Sequence, residues 1–146
     1  MHNHPDNHQL ATELRIVISR LFKKLRSKSK ANENLSLTER STLALLDQHN
    51  ELMPSELASM EKITSQSMSQ ILGHLAKLGY VHRRVSKQDK RKAIVSLSEA
   101  GQHILYTVRN ERDEWLQQAL EKTCQPQEWE ILSQSIGPLT RLVDFE

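Results

Sequence analysis

Cationic side chains are concentrated between residues 81 and 97, in the segment VHRRVSKQDKRKAIVSL. Six lysines and arginines stand beside a single acid, Asp89, so the segment carries a formal charge of +5. Runs of β-branched and aromatic residues at 80–82 and 93–97 flank the charged connector, and this pattern predicts a β-hairpin. A hairpin with so basic a tip is poorly suited to a protein core and well suited to the phosphates of a nucleic acid.

Polar side chains that can read nucleic-acid bases precede this hairpin. We expect a helix over residues 65–78, with Thr64 as its N-cap and Gly79 just after its end. Because glutamine can pair bidentately with adenine and serine can bind phosphates or base edges, the polar residues of this helix are candidate DNA contacts. The alternative is an ordinary solvated helix face. The candidates are Ser65, Gln66, Ser67, Ser69, Gln70 and His74.

Two shorter helices must position that recognition helix. The first is predicted to begin near Ser36 or Thr38, either of which can cap it, and to continue to His49; Ser36-x-x-Glu39 has the spacing of a capping box. Pro54 suits the first turn of a second, short helix that reaches Met60. Together with the helix at 65–78 and the basic hairpin, these elements have the order of a winged helix-turn-helix. The predicted fold class is mainly α with a small β-hairpin wing, and it includes dimerisation helices at both termini.

Long amphipathic helices are predicted at the two ends of the chain, over residues 8–30, 99–122 and from 126 onwards. Gly137-Pro138 is expected to bend the last of them. The compact unit between these helices cannot bury all of their apolar surface, so we expect a homodimer in which they pack against a symmetry mate. The residues assigned to this interface are Leu10, Leu14, Val17, Trp129, Leu132, Ile136, Leu139 and Leu142.

The chain is accordingly divided into three parts of one intertwined domain. Residues 1–34 form a polar tail, disordered over residues 1–7, and a dimerisation helix that ends in a loop at Asn32 and Asn34. Residues 35–98 form the DNA-binding lobe, and residues 99–146 form the C-terminal dimerisation helices. Residues 1–98 contain 16 basic and 9 acidic side chains, whereas residues 99–146 contain 4 and 9. This asymmetry favours a polyanion as the partner of the first part of the chain.

Composition argues against several other classes of protein. Cys124 is the single cysteine, so no disulfide can form within the chain. No apolar run approaches the roughly 18 residues that span a bilayer, and the first ten residues lack the apolar core of a signal peptide. We therefore expect a cytoplasmic protein with no membrane partner. No GxSxG, glycine-rich loop, HExxH or cysteine cluster is present, so an enzyme is not expected. The seven histidines lack the spacing of metal ligands, so neither a metal nor a cofactor is expected.

Ordered motifs between residues 37 and 101 resemble the multiple-antibiotic-resistance regulator (MarR) family. Each motif alone is weak, and their order and spacing together are specific. The matching residues are Leu37-Thr38 with Leu43 and Leu46, Pro54-Ser55-Glu56-Leu57-Ala58, Leu75-x-x-x-Gly79-Tyr80-Val81-x-Arg83, Asp89-Lys90-Arg91 in the wing, and Val95-x-Leu97-Ser98-x-x-Gly101. Three residues depart from the pattern: Met53 replaces a small hydroxyl residue, Gln70 stands where arginine is frequent, and Gly73 lies inside the recognition helix.

The resemblance implies a transcriptional regulator whose two recognition helices read a pseudo-palindromic operator in double-stranded DNA. It implies that Arg91 enters a minor groove while Asp89 holds it by an ion pair, a role that suits arginine in a narrow groove. The other wing cations, Arg84, Lys87, Lys90 and Lys92, are expected to contact phosphates. The resemblance further implies that the protein regulates transcription, most often as a repressor, and that a small effector of unknown identity controls it.

Two other functions compete with operator binding. A winged helix can serve as a protein-interaction module without operator specificity, although such a module has no need of a wing charged +5. RNA binding is a further alternative, but the wing and the recognition helix lack aromatic residues for base stacking. For the second basic run, at residues 23–30, we favour a solvated helix end, and for Cys124 a packing role.

Overall fold

The computed structural model describes residues 6–30 and 34–146 of the 146-residue chain. Its elements are α1 (Asn7–Arg26), α2 (Leu37–His49), β1 (Glu51–Leu52), α3 (Pro54–Glu61), α4 (Ser65–Lys77), β2 (Val81–Val85), β3 (Ala93–Leu97), α5 (Glu99–Thr123) and α6 (Pro126–Val143). The predicted fold class, mainly α with a β-hairpin wing, is confirmed. Residues 1–5 of the predicted tail and the predicted loop position Asn32 lie outside the described residues.

The chain forms two compact units. The first contains Met1–Lys28 and Glu111–Glu146, and the second contains Ser29–Asn110. Helix α5 contributes to both units, because its first twelve residues, 99–110, belong to the second unit. The three parts predicted from the sequence, 1–34, 35–98 and 99–146, are defined by function and not by compactness. That division stays a prediction.

The second unit contains the winged helix. Its antiparallel sheet has the strand order β1-β3-β2, with Leu52 opposite Val95 and Arg83 opposite Val95 on the other side of β3. The sequence analysis did not identify β1, because two residues are too few to show a period of two. This short strand places Glu51 at the edge of the sheet, where it takes part in the site described below.

Apolar side chains from α2, α3, α4 and β3 form the core of this unit. They are almost completely buried, and burial of one such side chain contributes about 1.5–3 kcal/mol. The largest are Leu43, Leu46, Leu57, Met68, Leu72, Leu75 and Val95. Three of these lie on one face of α4, so the core fixes which face of that helix remains available to a ligand.

Capping residues set the starts of the three helices around this core. Ser36 and Glu39 form the predicted capping box of α2. Ser36 Oγ accepts the Glu39 N–H at 3.1 Å, and the Ser36 N–H donates to Glu39 Oε2 at 2.8 Å. At α3 the Met53 side chain makes no capping hydrogen bond, and the Met53 N–H instead donates to Glu56 Oε1 at 2.9 Å. Thr64 caps α4 by accepting the Ser67 N–H at 3.1 Å. Each cap satisfies a backbone group that the helix leaves free.

The first unit consists of α1, the remainder of α5 and α6. Helix α1 ends at Arg26 rather than near Lys30, and the C-cap residue Ser27 donates its hydroxyl to the Lys24 carbonyl at 2.7 Å. Helix α6 continues through Pro138 to Val143. No residue of α1 or α6 is buried within the single chain. None of the described helices combines the length and apolar character needed to cross a membrane.

Candidate nucleic-acid interface

The outward face of α4 presents the polar residues that the sequence analysis selected. Met68, Leu72 and Leu75 hold the opposite face in the core. All six candidates are exposed: Ser65, Gln66, Ser67, Ser69, Gln70 and His74. The Ser67 hydroxyl accepts a hydrogen bond from Thr64 Oγ1 at 2.9 Å, so its position is fixed by the helix cap. Helix α4 therefore exposes two glutamines and three serines on a rigid support.

His74 differs from the other candidates because it already has a partner. Its Nδ1 lies 2.5 Å from Oε1 of Glu39, the N3 residue of α2, and its side chain is 45% exposed. The Glu39 side chain is only 11% exposed. The contact joins the recognition helix to the start of α2, and sequence analysis of α4 alone could not identify it.

Arg83 is a further cation beside α4 that the sequence analysis did not assign to the site. On β2 it pairs with the buried Val95, so it occupies an inward register position, while its residue remains exposed. A Cβ built on Gly73 would lie 3.8 Å from Arg83 Nη2. The Arg83 guanidinium thus lies beside α4, the helix in which Gln70 stands where the family pattern often has arginine. Strand alternation through Arg83 was the signal that could have identified it.

The wing loop, residues 86–92, is closed by backbone hydrogen bonds. The Ser86 N–H donates to the Lys92 carbonyl at 2.8 Å, and the Lys92 N–H donates to the Asp89 carbonyl at 3.0 Å. Asp89 Oδ1 accepts the Arg91 N–H at 3.0 Å and lies 3.4 Å from Arg91 Nε. The Arg91 side chain is nevertheless 92% exposed. Asp89 therefore contacts the backbone and one guanidinium nitrogen of Arg91, while most of the side-chain surface remains exposed.

The other wing cations have different surroundings. Arg84 Nη2 donates to both carboxylate oxygens of Glu51, at 3.0 and 2.9 Å, across the face of the sheet. A cavity of about 500 Å³ lies beside this pair and is also lined by Lys87. Lys87, Lys90 and Lys92 are exposed and make no ion pair with the described residues. Among the cations assigned to phosphate, Arg84 alone has an acidic competitor in the described part of the chain.

Metal-ligating residues do not cluster in the described part of the chain. No three His, Cys, Asp or Glu side chains within residues 6–30 and 34–146 are placed to hold an ion. His2 and His4 lie outside the described residues. Cys124 is partly exposed, and its Sγ lies 3.6 Å from Thr123 Oγ1.

Similarity to known proteins covers both the winged helix and the whole chain. The MarR family model matches residues 35–93, from two residues before α2 to the first residue of β3. An HTH-type transcriptional regulator of Mycobacterium bovis is 32% identical over 136 residues, which cover 93% of this chain and 94% of the relative. The chain belongs to the MarR family. Its relatives are transcriptional regulators and not enzymes.

Solved structures support the fold of this MarR-family chain over its full length. A transcriptional regulator protein from Pseudomonas aeruginosa superposes with a TM-score of 0.86 at 30% identity, covering 98% of this chain and all of that chain. FabT of Streptococcus pneumoniae, solved in complex with DNA, has a TM-score of 0.69 at 16% identity. That match covers 95% of this chain and 98% of FabT. The winged helix-turn-helix fold predicted from the sequence is thus shared with known MarR regulators.

The terminal helices of this MarR-family chain expose the apolar residues that the sequence assigned to a dimer. On α1, Leu10 is 41% and Val17 57% exposed, whereas Leu14 is half-buried. On α6, Trp129, Leu132, Ile136 and Leu142 are exposed and Leu139 is half-buried. The exposed apolar residues of α1 also include Ile18, Leu21 and Phe22, which belong to the apolar periodicity of this helix, and Ile16, which does not.

A second feature of the first unit is the guanidinium group of Arg112. Its Nε is buried and has no hydrogen-bond partner among the described residues. Burial, and to a smaller extent the positive charge of Arg26, lower the pKa of Arg112 from its ordinary value. Buried donors in folded proteins are nearly always paired, so this one marks a position where an acceptor is needed.

Proposed function

We propose that this MarR-family chain is a homodimeric regulator that binds a pseudo-palindromic operator in double-stranded DNA. The observation that carries the proposal is a single unit that exposes both a base-reading polar helix face and a wing with uncompensated cations. DNA recognition by a helix-turn-helix requires these two elements, one for sequence and one for phosphate charge. The DNA complex of FabT, a structure with the same fold, is consistent with this use of the fold.

The recognition helix α4 would enter the major groove with its N-terminal half. Gln66 and Gln70 are the residues we assign to base readout, because an amide can donate to and accept from adenine at once. Ser65, Ser67 and Ser69 are assigned to base edges or phosphates. The recognition helix itself carries few cations, so most of the electrostatic affinity has to come from other elements.

The wing would supply that affinity. Arg91, held by Asp89 at its backbone N–H and Nε and otherwise exposed, is assigned to the minor groove. Lys87, Lys90 and Lys92 are assigned to phosphates, and Arg84 would join them when it leaves Glu51. Arg83, beside Gly73, is a further cation available to the DNA backbone.

Two copies of the chain would form the binding species. The apolar stripes of α1 and α6 contain no buried residue in one chain, and exposed apolar patches of this kind mark interaction surfaces. Arg112 Nε adds a buried donor that an acceptor from a second chain can satisfy. A two-fold dimer relates two recognition helices in the way that a pseudo-palindrome relates two half-sites.

We further propose that a small effector controls operator binding and that the protein acts as a repressor. Such control requires that the effector favour one of two arrangements of the dimer that differ in DNA affinity. Release of a bound operator by candidate small molecules, measured as a fall in fluorescence anisotropy, tests this part. Transcription from the operator with and without the protein distinguishes repression from activation.

Titration of a labelled duplex from the region upstream of the gene tests operator binding itself. We expect binding that survives an excess of random duplex and of RNA, with an affinity that falls steeply as salt rises. Equal affinity for all duplexes, or equal competition by RNA, would contradict operator specificity. No binding by a folded dimer would instead favour the protein-interaction module.

A further inference from the structure

His74 and Glu39 form a polar pair that determines whether the His74 ring can donate a hydrogen bond to DNA. His74 lies on the same helical face as Ser67 and Gln70, at intervals of seven and four residues. It is therefore part of the exposed stripe of α4, while Glu39 lies beneath it at the start of α2. The inference drawn here rests on the proposed operator binding.

Glu39 determines which nitrogen of the His74 ring carries a hydrogen. Glu39 Oε2 accepts the Ser36 N–H at 2.8 Å, and Oε1 lies 2.5 Å from His74 Nδ1. An ionised carboxylate can only accept hydrogen bonds, so Nδ1 has to be the donor. In the neutral ring the single hydrogen is then on Nδ1, and Nε2 is left with a lone pair.

The free nitrogen, Nε2, makes no hydrogen bond with the part of the chain that is described. Because the His74 side chain is 45% exposed, a ligand can reach it. A DNA phosphate only accepts hydrogen bonds, so a lone pair on Nε2 repels it. Once Nε2 takes a proton from solvent, it becomes a charged donor, and its contact with a phosphate oxygen becomes a charge-assisted hydrogen bond.

We propose that His74 is a proton-linked phosphate contact, positioned by Glu39, so that operator affinity increases as the pH falls. DNA binding would then be coupled to partial proton uptake at His74 of each protomer. The relation between proton uptake and affinity follows from linkage: the DNA-bound state holds more protons, so lowering the pH favours it.

The charged groups around His74 allow this role. Helix α4 packs against α2, α3 and β2. From α2 the ring faces Glu39. On α3, Glu56 is bonded to the Met53 N–H and Glu61 to the Ser41 hydroxyl. From β2, the Arg83 guanidinium lies beside Gly73, and Lys77 follows His74 by three residues on its own helix. These two cations draw phosphate towards the same part of α4.

The test is operator affinity of the full-length dimer from about pH 5.5 to about pH 8, the range in which histidine changes charge, at constant ionic strength. We expect wild-type binding to be about tenfold tighter at the lower pH. His74→Gln should remove most of this dependence, because an amide does not titrate. His103→Gln, a histidine of α5 outside the recognition helix, is the matched control and should retain the dependence.

Glu39→Gln separates proton linkage from a merely structural role. The glutamine carbonyl can still accept the Ser36 N–H, and its amide NH₂ can donate to His74 Nδ1. The neutral ring must then carry its hydrogen on Nε2 and can bind phosphate without taking up a proton. We therefore expect this variant to gain affinity at high pH and to lose most of the pH dependence. A uniform loss of affinity at every pH would indicate a structural role only.

The outcomes also distinguish this inference from the proposed function. Specific operator binding whose pH dependence is the same in wild type and His74→Gln would overturn the role of His74 and leave operator binding intact. Absence of specific binding at every pH would overturn the proposed function itself. Circular dichroism melting of each variant verifies that the dimer is folded during the measurements.

Discussion

At the scale of single residues, the wing arginines differ in what holds them. Arg91 is 92% exposed, and Asp89 contacts its backbone N–H and its Nε, so the rest of the guanidinium is available to a groove. Arg84 is bound by both carboxylate oxygens of Glu51, so DNA has to compete with an internal anion for it. The sequence assigned Arg91 to a minor groove and Arg84 to phosphates, but it did not indicate the acidic partner of Arg84. That partner lies on β1, a strand that is defined only in the folded chain.

Arg91→Ala should weaken operator binding by at least about tenfold, or about 1.4 kcal/mol. The expected loss follows from the removal of the one wing cation that is both positioned and fully exposed. Anisotropy titration measures the effect, and Arg109→Ala, a cation of α5 paired with Asp47, is a control of equal charge. Unchanged affinity with an unchanged melting temperature would exclude a groove contact by Arg91.

Glu51→Gln should strengthen DNA binding by up to about fivefold, because an exposed ion pair of this kind contributes at most about 1 kcal/mol. The change frees Arg84 for a phosphate and removes a negative charge from the wing face. Glu99→Gln removes the same charge from an exposed position on α5 and serves as the control. If both variants bind equally, release of Arg84 has no effect beyond net charge.

At the scale of elements, close backbone packing joins the end of the recognition helix to the start of α5. Ser98 Oγ accepts the Gly101 N–H at 3.0 Å, and its N–H donates to the Tyr80 carbonyl at 3.0 Å. A Cβ on Gly101 would lie 2.1 Å from that same carbonyl oxygen. The strand-to-helix junction therefore requires glycine for reasons of space.

Gly101→Ala should lower the free energy of unfolding by about 3 kcal/mol, because the Tyr80 backbone has to move away from the new methyl group. Gly73→Ala is the matched substitution inside α4, where the new Cβ would make an ordinary 3.8 Å contact with Arg83 Nη2. That variant should be more stable by about 0.5–1 kcal/mol. Urea unfolding measures both, and a stable Gly101→Ala protein would show that the junction can relax.

Most elements could be predicted from the sequence, because their local signals are strong. Capping residues and apolar periodicity identified all six helices, and β-branched runs identified both strands of the wing. The early end of α1 was not predicted, since the residues after Arg26 carry no proline or glycine that would mark it. The strand β1 could not be predicted, since it depends on pairing with β3. The exposed face of α4 could be predicted from the spacing of its apolar residues. The partners of His74 and Arg84 could not, because Glu39 and Glu51 lie 35 and 33 positions away in the sequence.

At the scale of the whole molecule, the proposed homodimer rests on the terminal helices. Their apolar stripes were predicted from periodicity, and both stripes remain exposed in the single chain. Ile136 and Leu142 are 62% and 60% exposed, values expected of an interface rather than of a core. In the proposed dimer, the arrangement of the two chains would depend on surfaces that meet only after association, so the sequence of one chain could not specify it.

Ile136→Glu should convert the dimer to a monomer without unfolding the protomer, because the side chain is exposed in one chain and would bring an unpaired charge into an apolar interface. Sedimentation equilibrium measures the association state. Gln134→Glu adds the same charge two residues away on α6 and is expected to remain dimeric if it lies outside the interface. A stable Ile136→Glu dimer would place the interface elsewhere.

Hydroxyl-radical footprinting of the bound operator tests operator recognition by a two-fold dimer most directly. We predict two protected half-sites related by a two-fold axis, with centres about 10 base pairs apart or a multiple of that spacing, and further minor-groove protection outside them from the wings. A single protected segment without symmetry, or protection that is uniform along the duplex, would contradict a dimer that reads DNA with paired recognition helices.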